Sequence, residues 1–433
     1  MSNVDRLQEA IDSIDNRKEE MFALLQELIA YPTVSPPARN SNGAQTFLAN
    51  ELQAMGFQLD RWEVYPGDDN VVGRLPGTAS NAANSLIING HMDVAEVGDD
   101  SGWTYPPFAL TKGANGRLYG RGVSDMKGAL AASLFAIKML REHGIELKGD
   151  LLFQSVIGEE AGEAGTLVAI ERGYTADYAV VVDSSDLHMQ GQGGVITGWI
   201  TIESPTTLHD GMRSKTIHAG GGVRGASAIE KMMKIIASLQ DLERDWAVMK
   251  SYPGFSAGSN TINPAVIEGG RHAAFIADRC ALWITVHFYP NETYEEIIRE
   301  VEDHIHRAAA ADLWLRDNPP TFRWGGRSMI EERGEIFPSL ELDLEHPGLA
   351  MLRSAYEEQL MQEPMVDMSP SVTDVGWFAH AGIPAVLFGP GELKHAHTVD
   401  ESIHPEQLVQ FAQIMARFIA EWCNTAKNAK ERR

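Results

Sequence analysis

The 433 residues carry 60 acidic against 36 basic side chains, and a formal net charge of −24 repels nucleic acid and anionic membrane surfaces alike. A hydrophobic content of 44% is enough for two domains with cores of their own, and no uninterrupted apolar run of about 18 residues is present to span a membrane. The two cysteines, Cys280 and Cys423, match no zinc or redox spacing, and such sparing use fits a reducing cytoplasm.

The opening stretch, MSNVDRLQEAIDSIDNRKEEM, is too charged for a signal peptide and sets Val4, Leu7, Ile11 and Ile14 at helical spacing. Phe22 to Ile29 predicts a helix stopped by Pro32. Ala44 to Met55 predicts another, with Phe47, Leu48, Leu52 and Met55 on one face and Gly56 as its stop. Leu86 to Ile88 is a strand core, Lys127 to Arg141 a helix, and Leu151 to Ile157 and Tyr178 to Val182 two further strands. Continuous apolar strands between helices need cover above and below. The expected fold class is therefore α/β, a mixed, mostly parallel sheet with helices on both faces.

The pattern changes near Gly193. Val195 to Ile202 reads as a strand, Ala226 to Leu239 as a helix, and Ile262 to Ile267 and Ala281 to Tyr289 as strands. Thr293 to Arg307 is a helix opened by the capping box TYEE, and Thr321 to Trp324 a final strand. This β-α-β-β-α-β order suits a small ferredoxin-like α+β domain. Afterwards the first pattern resumes with helix Pro347 to Leu360, strand Ala385 to Phe388 and helix Pro405 to Trp422. The expected organisation is a large domain, residues 1–193 and 318–433, interrupted by an inserted domain, residues 194–317.

Polar residues gather where the apolar strands end. The strand in LIINGHMDVAEVGDDSGW runs out into His91 and Asp93. Leu151 to Ile157 runs into Glu159 and Glu160, and Tyr178 to Val182 into Asp183. Ala385 to Phe388 leads into GPGELKHAHTVDES with His395 and His397, and Asp125 precedes a helix in GRGVSDMKGAL. Alone, a histidine at a strand end is ordinarily structural and an aspartate before a helix is ordinarily a cap. Together they converge on the carboxyl edge of one sheet, where open α/β folds bind ligands. Carboxylates so crowded repel unless a cation neutralises them, and a His, Asp and Glu donor set fits zinc or a related divalent metal. A two-metal site needs a bridging carboxylate, for which Asp125 is the natural choice. His91 and Asp183 complete one metal, and Glu160 and His397 the other. Asp93 is expected to orient His91 through its second ring nitrogen. Glu159 is left as general base for the attacking water.

These segments, with GHMDVAEVGDDSGWTYPPF, IGEEAGEAGT and VVDSSD, closely resemble the M20 metallopeptidase family, and within it the acetylornithine deacetylase and succinyl-diaminopimelate desuccinylase branch. The resemblance extends over the whole chain. It implies a zinc-peptidase-like catalytic domain with two zinc ions per subunit, cobalt being able to substitute. It implies His91, Asp125, Glu160, Asp183 and His397 as ligands, Glu159 as base, and a cis peptide bond at Asp125-Met126. It further implies that the insert is a lid and dimerisation domain, through which His218 of one subunit reaches the active site of the other. Where the family often carries a carboxylate-binding arginine after the lid strand, this chain has His287, a weaker anion partner. Arg213, Arg224 and Thr373 are further candidate anion contacts.

The resulting expectation is a cytoplasmic, dizinc amidohydrolase that removes an N-acyl group from a small amino-acid-like substrate, acetylornithine deacetylase-like, with no nucleic-acid or membrane partner. A desuccinylase, a dipeptidase and an N-formyl aminopyrimidine deformylase are the rivals, the last worth keeping because of the missing arginine. Outside enzymes, the rival is a metal-binding protein with an inactive site, which the intact Glu159 opposes.

Overall fold

A computed structural model of the chain describes residues 3–427; the side chains of Asp100 and His218 lie outside that description. Two compact units are present. One comprises Met1–Gly191, Leu340–Ser369 and Thr373–Arg433, the other Gln192–Ser339 with Pro370–Val372.

The larger unit is built on an eight-stranded sheet. Its strand order is Gln58–Tyr65, Asp68–Leu75, Leu151–Val156, Leu86–His91, Tyr178–Val181, Ala385–Leu387, Met189–Gln192, Val366–Ser369. The central four are parallel, and every residue in them is buried. They are the four apolar runs of the sequence, since only a strand covered on both faces can be apolar throughout. Helix Lys127–Glu142 packs on Leu86–His91 and against helices Lys18–Ile29 and Pro405–Trp422. Four outer strands carry no such signal. Gln58–Tyr65 is largely exposed and dotted with charge, and it turns at Gly67 (φ +89°) into Asp68–Leu75. Met189–Gln192 and Val366–Ser369 have only four residues each.

Register does the positioning. His91 stands opposite Val156, Asn89 opposite Val181, and Val181 opposite Leu387. The residues that follow each strand therefore emerge at one edge of the sheet.

The smaller unit has strands in the order Ile262–Gly269, Arg279–Phe288, Gly194–Glu203, Thr321–Trp324, all antiparallel, which is the ferredoxin-like arrangement. Helices Ala228–Met249 and Tyr294–Ala310 pack on one face of it, against Ile196, Ile200, Leu282, Ile284 and Val286. The capping box of the second helix is present, with the Thr293 hydroxyl accepting from the Glu296 backbone and the Glu296 carboxylate from that of Thr293. The insert closes later than residue 317. Thr321–Trp324 and Ile336–Phe337 both pair with Gly194–Glu203, and this carries the unit to Ser339.

Candidate metal centre

His91 is the last residue of its strand and is 2% exposed. Its Nε2 lies 3.1 Å from Asp125 Oδ1, 3.7 Å from Asp183 Oδ2 and 3.9 Å from Glu159 Oε2. Its Nδ1 meets the backbone carbonyl of Asp93 at 2.9 Å. The Asp93 carboxylate, expected to orient this ring, stands 3.7 Å from Nδ1 and is occupied otherwise. It accepts the backbone N–H groups of Gly158 at 2.8 Å and Glu160 at 3.1 Å. Asp93 thus fixes the turn that presents Glu159 and Glu160, and a carbonyl takes the ring-orienting role, because the chain bends back over His91 within two residues. That turn is the short helix Glu159–Ala161, flanked by Gly158 (φ +81°) and Gly162 (φ +56°) in the left-handed region that glycine permits.

Asp125 lies between the two imidazoles. While Oδ1 faces His91, Oδ2 lies 3.2 Å from His397 Nε2, which in turn is 2.8 Å from Glu160 Oε2. Asp125 is not a cap: helix Lys127–Glu142 begins after Met126 with no side-chain cap, and the Asp125-Met126 peptide is cis. Single ligand atoms of His91, Asp125 and Glu160 fall within 4.8 Å of one another. The other oxygen of Glu160 accepts the Ala95 N–H at 2.8 Å, and Asp183 accepts the Ser184 N–H at 2.6 Å. The arrangement pairs His91 with Asp183 and Glu160 with His397, with Asp125 common to both.

The electrostatics are those of anions short of positive charge. Burial drives the Glu159 carboxyl well above the ordinary range and takes Glu160 up to about 7, with the Asp125 charge adding to the latter. Burial and then Asp125 raise Asp183. Burial would raise Asp125 too, but hydrogen bonds from His397 and His91 outweigh it and hold this carboxyl low. Asp125 and Glu160 together raise the His397 imidazole to about 10. His91 and the carboxylate side chains are largely buried, while His397 closes the cluster from the surface with its side chain 58% exposed. Oxygen and imidazole donors so gathered, with both cysteines free and outside the cluster among the described residues, fit zinc or a related divalent ion.

The expected anion contacts have other partners. Arg224 pairs with Asp317 at 2.8 Å and Arg213 with Glu230, both at the surface of the smaller unit. His287 is exposed on strand Arg279–Phe288, between Val286 and Phe288, which face the core. Thr373 is buried, and its hydroxyl accepts the Val375 N–H at 3.3 Å at the start of helix Val375–His380. His218 falls in the turn Ile217–Ala219, and its side chain is outside the described residues.

Two ion pairs around the cluster, one half-buried and one buried, escaped the sequence reading. Arg39 binds Glu163 through both guanidinium nitrogens at 2.8 Å, and the Glu163 N–H donates to the Gly158 carbonyl, so the pair buttresses the Glu159 turn. Arg121 and Glu401 meet at 2.6 Å, 2% and 0% exposed. The one signal was a charged residue, Glu163, Arg121 or Glu401, set in a glycine-rich or ligand-bearing motif, since a charge there is buried only with a partner; Arg39 gave none.

Residues 87–421 match the peptidase family M20/M25/M40. The chain is 58% identical over 414 residues to an N-formyl-4-amino-5-aminomethyl-2-methylpyrimidine deformylase of Bacillus subtilis (strain 168), covering 96% of this chain and 97% of the relative. An acetylornithine deacetylase of Proteus mirabilis (strain HI4320) is 27% identical, covering 93% of this chain and 97% of the relative. Among solved structures, the Bacillus subtilis YXEP protein, a dinuclear metal binding peptidase from the M20 family, matches with a TM-score of 0.62 at 16% identity, over 93% of this chain and 97% of that one. The expected ranking is thereby reversed: the deformylase, set among the rivals, is much the more similar. The chain belongs to the peptidase family M20/M25/M40 and is a metal-dependent amidohydrolase of that family.

Proposed function

We propose that the protein is a cytoplasmic deformylase that hydrolyses the N-formyl group of an aminopyrimidine-like heteroaromatic amine, using two divalent ions, zinc in the first instance. The observation that carries this reading is the high identity to the Bacillus subtilis deformylase across nearly the whole chain. His287, in place of a carboxylate-binding arginine, supports it, because such a substrate has no α-carboxylate to hold. Two buried cysteines, both free, suit the cytoplasm.

When bound, the ions supply Lewis-acid polarisation of the formyl carbonyl and acidify water. The chain's own residues do the rest. His91 and Asp183 would hold one ion and Glu160 and His397 the other, with Asp125 available to both. Glu159, beside Asp183 yet without a histidine at bonding distance, takes the proton of the attacking water and passes it to the departing amine. Formate and free amine leave, and Glu159 returns to its starting state.

Zinc-loaded protein assayed on N-formyl aminopyrimidine, N-acetylornithine, N-succinyl-diaminopimelate and dipeptides tests the reading. The formyl substrate is expected to lead in kcat/KM by more than the 10–200-fold or so that one carbon of pocket fit supplies. Faster turnover of N-acetylornithine would overturn it. The insert is read as a lid and dimerisation domain that sends His218 into the partner's site. His218→Ala is then expected to lose about 10²–10³-fold in kcat, as for an oxyanion donor. Mixing His218→Ala with Glu159→Gln subunits should restore activity, and heterodimers with none would sink this part.

A further inference from the structure

Glu401 is absent from the ligand set, yet every group that meets its carboxylate belongs to the loop that carries Asp125. Oε1 accepts the backbone N–H groups of Gly122 at 3.1 Å, Ser124 at 2.8 Å and Asp125 at 3.1 Å, and Oε2 accepts Arg121 Nη1 at 2.6 Å. The Glu401 carbonyl takes the Gly120 N–H at 3.1 Å. Directly after it, Ser402–Ile403 pairs antiparallel with Leu118–Tyr119, and Arg117 Nε donates to the Ser402 hydroxyl at 2.9 Å. On its other side Asp400 Oδ1 accepts the N–H groups of Thr104 and Tyr105 at 2.8 and 3.2 Å. His397 and Asp400, both at positive φ (58° and 57°), form the short bend that precedes this anchor.

Two loops 276 residues apart in sequence are thereby tied together, one ending on Asp125 and the other opening on His397. A carboxylate receiving four donors, one of them a guanidinium, is a rigid point of attachment. The backbone N–H of Asp125 itself is among them. We propose that Glu401 is a positioning residue of the metal centre: it sets the separation of Asp125 from His397 and so governs affinity for the ion held by Asp125, Glu160 and His397. The inference rests on the two-metal reading above. Glu401 acts on two of the three ligands of that ion but only on the shared Asp125 of the other. Its loss should therefore weaken the two ions unequally, whereas a merely structural glutamate would lower thermal stability without choosing between them.

The test is Co²⁺ titration of chelator-stripped protein against a chromogenic competitor, followed also by visible absorption of the bound ion. Wild type is expected to take up two ions, and His397→Ala identifies the step that belongs to its own ion. Glu401→Gln should weaken that step by about 10–100-fold, the loss typical when a partner of a metal ligand is removed, and the other step less. Arg121→Lys, which leaves the three backbone bonds to Glu401, should weaken the same step by a smaller factor, and it decides the matter if Glu401→Gln does not fold. Two ions bound by both variants as tightly as by wild type would overturn the inference, and so would equal weakening of both steps. Wild type that takes up no ion would overturn the two-metal reading itself, and the inference with it.

Discussion

Asp312 in the smaller unit and Asp183 at the strand ends of the larger one are equally buried, each 5% exposed. Their charges are met in different ways. Asp312 accepts Lys231 Nζ on both oxygens at 2.9 and 3.0 Å, Lys234 on one, and the N–H groups of Trp314 and Leu315 besides. Although burial alone would raise it, these partners hold its carboxyl below the ordinary range. Asp183 has Asp93, Asp125, Glu159 and Glu160 for company. Among the described residues only the imidazoles of His91 and His397 form ion pairs with these five carboxylates. One cluster carries its counter-charge in its own sequence; the other takes it from solution. A buried anion with lysines is a fastening, and carboxylates met only by histidines suit a cation.

The contrast can be broken at four points. The largest effect belongs to the carboxylate that is not a ligand. Glu159→Gln is expected to lose about 10²–10⁴-fold in kcat while keeping both ions, whereas Glu160→Gln loses metal as well. Metal analysis beside steady-state kinetics separates the two, and equal metal loss would erase the distinction. Next comes Asp312→Asn, which removes the negative charge that faces Lys231, at 7% side-chain exposure, and Lys234. It should cost about 3 kcal/mol of stability in chemical denaturation. Its kcat should stay unchanged, and a fall in turnover per folded molecule would show that the fastening reaches the chemistry.

Removing the more weakly held ion alone should cost about 2.7 kcal/mol relative to protein in free ion at a hundred times its Kd, read as a drop in Tm at neutral pH. That gap should shrink on acidification. With Glu160 raised to about 7, a proton replaces the cation, and the stability this adds to stripped protein is present below the unfolded carboxylate range and lost as pH rises through 7. Asp312 has the opposite sign: held low in the fold, it stabilises above the unfolded carboxylate pKa, and the contribution disappears as pH falls through the folded value. Hydrogen exchange resolved by segment should show stripped protein tightening near residues 156–163 as pH drops toward 5. Near residues 228–234 it should loosen only at lower pH. Identical pH responses in the two segments would contradict the comparison, and this is the smallest effect expected.

Much of this was legible in the sequence because burial on both faces leaves a composition signature. The four central strands could be read from their unbroken apolar runs, and six of the seven clustered residues follow from where those runs stop; Asp125, which precedes a helix instead, was found by its motif. The hairpin at Gln58–Leu75 could not, since its outer strand is solvated and its charges resemble those of a loop. Which oxygen of Asp93 meets the ring was not legible: whether a carbonyl or a carboxylate faces a ring nitrogen depends on a two-residue bend that spacing does not encode. Glu401 and Arg121 were quoted within motifs but given no role, because the partner of each lies some 280 residues away.

Ala385–Leu387 lies between Tyr178–Val181 and Met189–Gln192 in the sheet, although it is made about two hundred residues after them. Seen from the ribosome, the larger unit cannot close when its first half emerges. Tyr178–Val181 waits with an open edge while the whole insert is synthesised, and a strand edge left open is a template for pairing with another chain. The insert, whose strands pair among themselves, can fold during that interval. Chains halted at residue 339 should therefore present a folded smaller unit beside an aggregation-prone larger one, a difference that limited proteolysis of ribosome-bound chains would reveal.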